Sequence, residues 1–282
     1  MIDNDFSYKQ LRKEQYEYNS PENFSELQNP FLSPYTFIKA RFYMEMSAVL
    51  VYILLKTNIH PNHVTLVYGF SGLLAGFLIS LGESEFIMVG IFIFFTRGIL
   101  DWTDGHLARK TGKTSLTGHV LDEYGALLGS VGLGFGLGFF VAQRTDYEFL
   151  YYLVFLFPIL RLLMIHNYAK SVLVRKIILT DHTGSNIIDD SSDSEEKKKP
   201  SFFLNLQKFI QNFMDDRART VDMICLIILI DINLELNLSF YIFIIYILKW
   251  FIAFLGSLYV FIRGGYIENE YNEVLKSILK AK

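Results

Sequence analysis

"FIMVGIFIFFTRGILDWTDGHLARKTGKTSLTGHVLDEYGALLGSVGLGFGLGFFVA", running from Phe86 to Ala142, decides the fold. Both ends are apolar over lengths near the ~20 residues an α-helix needs to cross a bilayer. The middle is polar and short, so two such helices must turn back on each other as a hairpin. That turn places Asp101, Asp104 and Asp122 at the mouth of apolar helices. Acids at membrane depth are costly, and they are functional candidates by default.

The same apolar pattern recurs through the 282 residues. At 51% hydrophobic the composition is near that of soluble globules, so the distribution of those residues carries the argument rather than their total. Six spans are predicted, near 64–81, 86–107, 118–142, 147–168, 219–236 and 240–262. Before them, 34–57 holds a short apolar stretch flanked by Lys39, Arg41, Glu45 and Lys56, which predicts an amphipathic helix at the membrane surface. A seventh span is the alternative for that segment. Pro61 and Asn62 are expected to break the chain, with Asn62 or Thr65 capping the first span. The predicted fold class is therefore all-α: a polytopic membrane protein with six transmembrane helices and an N-terminal interfacial amphipathic helix.

Residues 1–33 are expected to form a cytoplasmic N-terminal segment, 34–57 the interfacial helix, 58–263 the membrane domain and 264–282 a cytoplasmic tail. Within the membrane domain, about 180–201 reads "DHTGSNIIDDSSDSEEKKKPS", a charged stretch predicted to be a disordered cytoplasmic loop. Phe202, Phe203, Leu206, Phe209, Ile210 and Phe213 follow it at helical spacing, as a short interfacial helix would. The glycines Gly132, Gly134, Gly136 and Gly138 predict close helix packing.

Orientation follows from the connecting loops. Arg109, Lys110 and Lys113, then Lys170, Arg175 and Lys176, then Arg217 and Arg263 gather on one side. The opposite loops carry Arg144 alone. The positive-inside rule then puts both termini and the aspartates in the cytoplasm of an integral, multi-pass membrane protein. A net charge of −3, with no basic aromatic patch, gives no reason to expect nucleic acid. The single cysteine, Cys225, excludes an intrachain disulfide framework and any multi-cysteine zinc site.

On a helix Asp101 and Asp104 share a face, and Asp122 lies one turn inside the next span. Three carboxylates so close repel one another, and a hard divalent cation bound through oxygen relieves that repulsion. Mg²⁺ favours sites shared with substrate phosphates, so a diphosphate substrate suits the site. Gly105, Ala108 and Gly118 leave room against the backbone, and Arg109 can clamp a phosphate oxygen. The plainer alternative is a polar helix–loop–helix at the membrane surface.

The segment resembles the CDP-alcohol phosphotransferases, whose motif reads D-x-x-D-G-x-x-A-R, about eight residues, then G-x-x-x-D-x-x-x-D. Asp101, Asp104, Gly105, Ala108, Arg109, Gly118 and Asp122 fill seven of its eight fixed positions. "HPNHVT" before the first span and the preceding surface helix extend the similarity. The resemblance implies a membrane-embedded homodimer that moves a phosphatidyl or similar phospho-group from a CDP-linked lipid or alcohol donor to a small polar alcohol, releasing CMP. It implies Mg²⁺ or Mn²⁺, as a binuclear site, on Asp101, Asp104 and Asp122. Gly105, Ala108, Arg109 and Gly118 would line the donor site, with membrane lipids around it. The eighth position, an Asp proposed as general base and shared ligand in the family, is Ala126 here.

A methyl group neither takes a proton nor binds a cation, so one metal is expected to bind more weakly. Glu123 and His119 are the candidate replacements for the base, and an acceptor phosphate is a third route. Arg97 and Arg161, inside predicted spans, are candidates for an acceptor or lipid phosphate, with offsetting the aspartates as the alternative for Arg97. Asp231 and Lys249 are predicted to pair. The competing functional readings are a catalytically impaired relative that binds CDP-lipid or metal as a regulator, and a transporter. The latter calls for broken helices and paired repeats, and neither is evident.

The loop charges generate a topological prediction. In a chain lacking Cys225, cysteines placed at Ser84 and Asn237 are expected to react with an impermeant reagent on intact cells. Those at Lys113 and Ser192 should stay shielded, and labelling at 192 would invert the orientation.

Overall fold

Pro61 begins the first long apolar helix instead of breaking the chain ahead of it. Its fixed φ suits the first helical position, and the residue before it supplies the cap. His60 Nδ1 accepts the Asn62 N–H at 3.3 Å, so the cap is His60 and not Asn62 or Thr65. This detail comes from a computed structural model that describes residues 7–19, 34–163 and 218–264.

Every regular element among those residues is an α-helix. They are α1 (Tyr8–Tyr18), α2 (Pro34–Leu54), α3 (Pro61–Ser80), α4 (Ser84–Thr96), α5 (Gly98–Thr111), α6 (Leu116–Gln143), α7 (Phe149–Leu162), α8 (Ala218–Leu234) and α9 (Leu238–Gly264). Arg97 keeps helical angles between α4 and α5, so Ser84–Thr111 forms one 28-residue path. Gly112 ends it at φ 65°, a left-handed conformation in which its N–H satisfies the last carbonyls of α5. Ser115 then caps α6 by accepting the Gly118 N–H at 3.0 Å.

Four helical stretches among the described residues are long and apolar enough to cross a membrane: Pro61–Ser80, Ser84–Thr111, Leu116–Gln143 and Leu238–Arg263. The chain is a polytopic, all-α membrane protein. Of the other two predicted spans, 14 residues in α7 and 17 in α8 are helical among the described residues. The predicted charged loop near 180–201, the following interfacial helix and the C-terminal tail lie outside the described residues.

Glycine sets the distance between α3 and α6. A Cβ added at Gly72 would stand 2.5 Å from the Gly129 Cα, and one at Gly69 3.1 Å from the Gly125 Cα. At Gly76 and Gly132 it would overlap the facing carbonyl oxygens of Gly132 and Gly72. The packing predicted for Gly132 and Gly136 is therefore backbone against backbone with α3, while Gly138 faces Val154 and Phe243.

Two contacts tie the N-terminal helices down. Lys39 on α2 forms a buried ion pair with Asp222 on α8, and its ammonium also lies 4.9 Å from the Phe95 ring. Helix α1, unforeseen in the sequence, docks on α2 through Glu45. That carboxylate accepts hydrogen bonds from Arg12 Nε at 2.7 and 2.8 Å, Tyr16 at 2.7 Å and Tyr8 at 3.2 Å. Beneath them Leu11 is fully buried with Val51, Val64 and Leu107. Buried Gln15 donates to Ser47 Oγ at 3.1 Å.

Asp231 has a different partner from the one predicted. Its carboxylate accepts the N–H groups of Leu238 and Ser239, closing a turn in which Glu235 and Asn237 both have positive φ. These are orphan donors at the start of α9, and a carboxylate there also suits the helix dipole. Lys249 instead lies over the rings of Tyr246 and Trp250, at 5.7 and 5.2 Å.

The residues form two compact units, whose boundary passes through α7 and α9. The first holds α1–α6, α8 and the opening turns of α7 and α9. In the second, Phe157 stacks on Tyr246 at 5.1 Å and meets Trp250 edge-on at 6.0 Å.

The Arg12 hydrogen bond, aided by Tyr16 and Tyr8 and opposed by partial burial, holds the Glu45 carboxyl down at about 2 against an ordinary 4.5. A depressed carboxylate contributes its stability above the unfolded value and loses it as pH falls through the folded one. A spin label at Lys9 should therefore stay immobile down to about pH 4.5 and loosen as pH approaches 2. Glu45→Gln should mobilise it at neutral pH; an immobile label in that variant would show that Glu45 does not hold α1.

Candidate functional site

Helix α5 carries Asp101, Asp104, Gly105, Ala108 and Arg109, and α6 carries Gly118, His119, Asp122, Glu123 and Ala126. Helices α5 and α6 both pack on α3, which brings the two acid-bearing helices near each other. Asp101 and Asp122 are electrostatic neighbours, and Tyr68 of α3 lies near Asp101 as well. Asp104 neighbours the Thr65 hydroxyl and the Arg109 guanidinium. It is 7% exposed, and its buried Oδ2 has no hydrogen-bond partner among the described residues.

The three predicted acids thus lie near one another where α5 and α6 meet α3. Among the described residues no three His, Cys, Asp or Glu side chains are gathered tightly enough to hold a metal ion as they stand. The chemistry of the donor set still fits one. All the donors are hard carboxylate oxygens, one is buried and unpartnered, and like charges adjoin, which is what a hard divalent cation relieves.

The small residues lie close to polar side chains. A Cβ at Gly118 would come within 3.3 Å of Asn62 Oδ1 and Ser115 Oγ, so the "HPNH" stretch borders the start of α6. At Gly105 the near neighbour is Arg109 Nη1, 3.2 Å from such a Cβ. Arg109 folds back over Gly105, and its other side meets the Tyr18 ring of α1 at 3.7 Å. Ala108 is partly buried beside them. His119, Glu123 and Ala126 are all exposed on α6, with Glu123 and His119 near Asp122.

Arg97 is used within the protein. Its guanidinium covers the Tyr68 ring at 4.2 Å and donates to the carbonyls of Gly125 at 3.1 Å and Tyr68 at 3.5 Å. It packs against Gly129, where a side chain would overlap it, and its charge also faces Asp101. Arg161 belongs to the second unit, over the Trp250 ring at 4.0 Å. Sequence reasoning gave Thr65 only a capping role and gave none to Tyr68, Tyr18 or His106. Buried His106 lies close to Arg109, Lys110 and Glu14. Helical periodicity within α3 puts Thr65 and Tyr68 on one face, but which face meets α5 depends on the α3–α6 glycine contact.

Residues 58–188 match the family model described as CDP-alcohol phosphatidyltransferase. The matched stretch contains all seven motif residues and the glycine contact of α6 with α3. No curated protein and no solved structure matches the chain.

Arg97 generates the prediction for this site. Arg97→Leu removes charge-assisted hydrogen bonds to two backbone carbonyls and is expected to cost about 1.5–3 kcal/mol. Arg97→Lys should recover little, because an ammonium cannot both stack on Tyr68 and fork onto two acceptors. Thermal unfolding in detergent measures both, and wild-type stability in Arg97→Leu would remove its structural role.

Proposed function

We propose that this protein is a membrane phosphotransferase that moves a phosphatidyl or similar phospho-group from a CDP-linked donor to an alcohol acceptor, with release of CMP. The observation that carries the reading is the meeting of Asp101 and Asp122 beside a buried, unpartnered Asp104 oxygen. It lies inside the family-matched stretch and on the family's motif spacing. The architecture we infer has six spans, α2 at the membrane surface, both termini and the site on the cytoplasmic side, and a second copy of the chain as partner.

Asp101, Asp104 and Asp122 would hold Mg²⁺ or Mn²⁺, which when bound neutralises diphosphate charge. Arg109 presents a fork of N–H donors that fits a phosphate. Gly105, Ala108 and Gly118 give the cytidine diphosphate access to the backbone. The acceptor oxygen forms its bond to the donor's lipid-side phosphorus as the bond from that phosphorus to the CMP oxygen breaks. The acceptor's proton passes to Glu123, to His119 or to a phosphate on the acceptor, and CMP leaves with the bonding electron pair.

Ala126 supports a second reading. A methyl group stands one turn after Asp122 where the family carries a carboxylate, as in a catalytically impaired relative that binds CDP-lipid or metal as a regulator. Losing a positioned base costs roughly 10²–10⁴-fold.

One assay separates the two. The purified protein is given CDP-diacylglycerol, Mn²⁺ and a panel of alcohols, including inositol phosphate, glycerol phosphate and serine, and CMP release is measured. Under the transferase reading CMP appears with one acceptor, and Asp101→Asn, Asp104→Asn and Asp122→Asn each abolish it. Under the regulator reading wild type is nearly silent and Ala126→Asp raises release by about 10²-fold. Damage from Glu123→Gln or His119→Ala identifies the base. Donor binding that is unchanged in all three Asp variants would sink the site assignment.

A further inference from the structure

Helix α1 has 11 residues, too few to persist alone in water, so its tertiary contacts keep it formed. Those contacts fall into two groups. Leu11, Gln15 and the Glu45 cluster fasten its body to α2. The C-terminal half reaches the end of α5, where Glu14 accepts two hydrogen bonds from Lys110 Nζ, at 2.7 and 2.9 Å. One turn further along α1, Tyr18 sets its ring under the Arg109 guanidinium at 3.7 Å.

Arg109 is thereby held on two sides, by Tyr18 and by the bare backbone of Gly105. A planar guanidinium lying on an aromatic face still directs its N–H groups outward in its own plane. Stacking therefore restricts the side chain by covering its face, while its in-plane N–H groups are approached by the Tyr18 hydroxyl and by Asp104. Glu14 contributes register: by pinning Lys110 it fixes where the last turn of α1 sits, and hence where Tyr18 meets Arg109.

Resting on the CDP-donor reading above, we propose that α1 is a built-in part of the donor site, with Tyr18 and Glu14 as positioning residues that pre-set Arg109 for the donor diphosphate. A flexible Arg would have to be ordered on binding, and relief from that cost corresponds to about a three- to tenfold gain in affinity. The sign separates this role from an inhibitory strap. If Tyr18 competed with the donor for Arg109, removing it would tighten donor binding.

The test is equilibrium binding of CDP-diacylglycerol to the full-length protein in detergent with Mn²⁺. Tyr18→Ala should raise Kd about three- to tenfold, Tyr18→Phe should stay near wild type because it keeps the aromatic face, and Glu14→Gln should lie between. Glu45→Gln, which frees the body of α1, should resemble Tyr18→Ala. In an Arg109→Ala background the Tyr18→Ala effect should vanish, a coupling that general destabilisation would not produce. Tyr18 is 52% exposed, so its truncation leaves the core intact. Unchanged or tighter binding in Tyr18→Ala, or an undiminished effect without Arg109, overturns the positioning role alone. Failure of the wild type to bind CDP-diacylglycerol overturns the donor reading and this proposal with it.

Discussion

The approach of α3 to α6 governs everything at the polar end of the molecule. Where Gly69, Gly72 and Gly76 face Gly125, Gly129 and Gly132, the helices meet with no side chain between their backbones. In lipid there is little hydrophobic gain from packing one apolar helix on another, so such contact depends on close dispersion and on small residues that permit it. With α5 also packed on α3, the same proximity places Asp122 near Asp101. It also forms the slot in which Arg97 lies between Tyr68 and Gly129. A methyl on that seam would displace a carboxylate as well as loosen a contact.

The long apolar runs were legible because bilayer thickness imposes a length, and the acid motif was legible because its spacing is helical. Of the other two predicted spans, 14 and 17 residues are helical among the described residues, each bordering a stretch outside them. Less legible were partners chosen by tertiary contact. "YKQLRKEQYEY" has one aliphatic residue, Leu11, and reads as a solvated segment. It is nevertheless docked, through a buried glutamine and a shared glutamate, and neither has a periodicity to detect. Asp231 misled because an acid and a lysine at similar depth suggest a pair, whereas the nearer demand came from two amide donors across a tight turn.

The surroundings of the acids were only partly legible. Asp101, Asp104 and Asp122 lie near one another where α5 and α6 meet α3. The side chains that face them from α3, Thr65 and Tyr68, could be found only after the glycine seam oriented that helix. Arg97 shows how an intramembrane charge can be engaged from within, by two carbonyls, an aromatic face and an acid. Ala126 lies on an exposed part of α6, so its small side chain leaves no void in the interior.

The pair between Lys39 and Asp222 also has a consequence in time. Its members are 183 residues apart, and synthesis proceeds at about 5–20 residues per second. For roughly 10–40 s after Lys39 is made, its carboxylate partner does not yet exist. During that interval α2 can pack on α1 and α5, but its lysine has no carboxylate to meet. The arrival of α8 then supplies that carboxylate, so one contact of an early helix waits for one of the last.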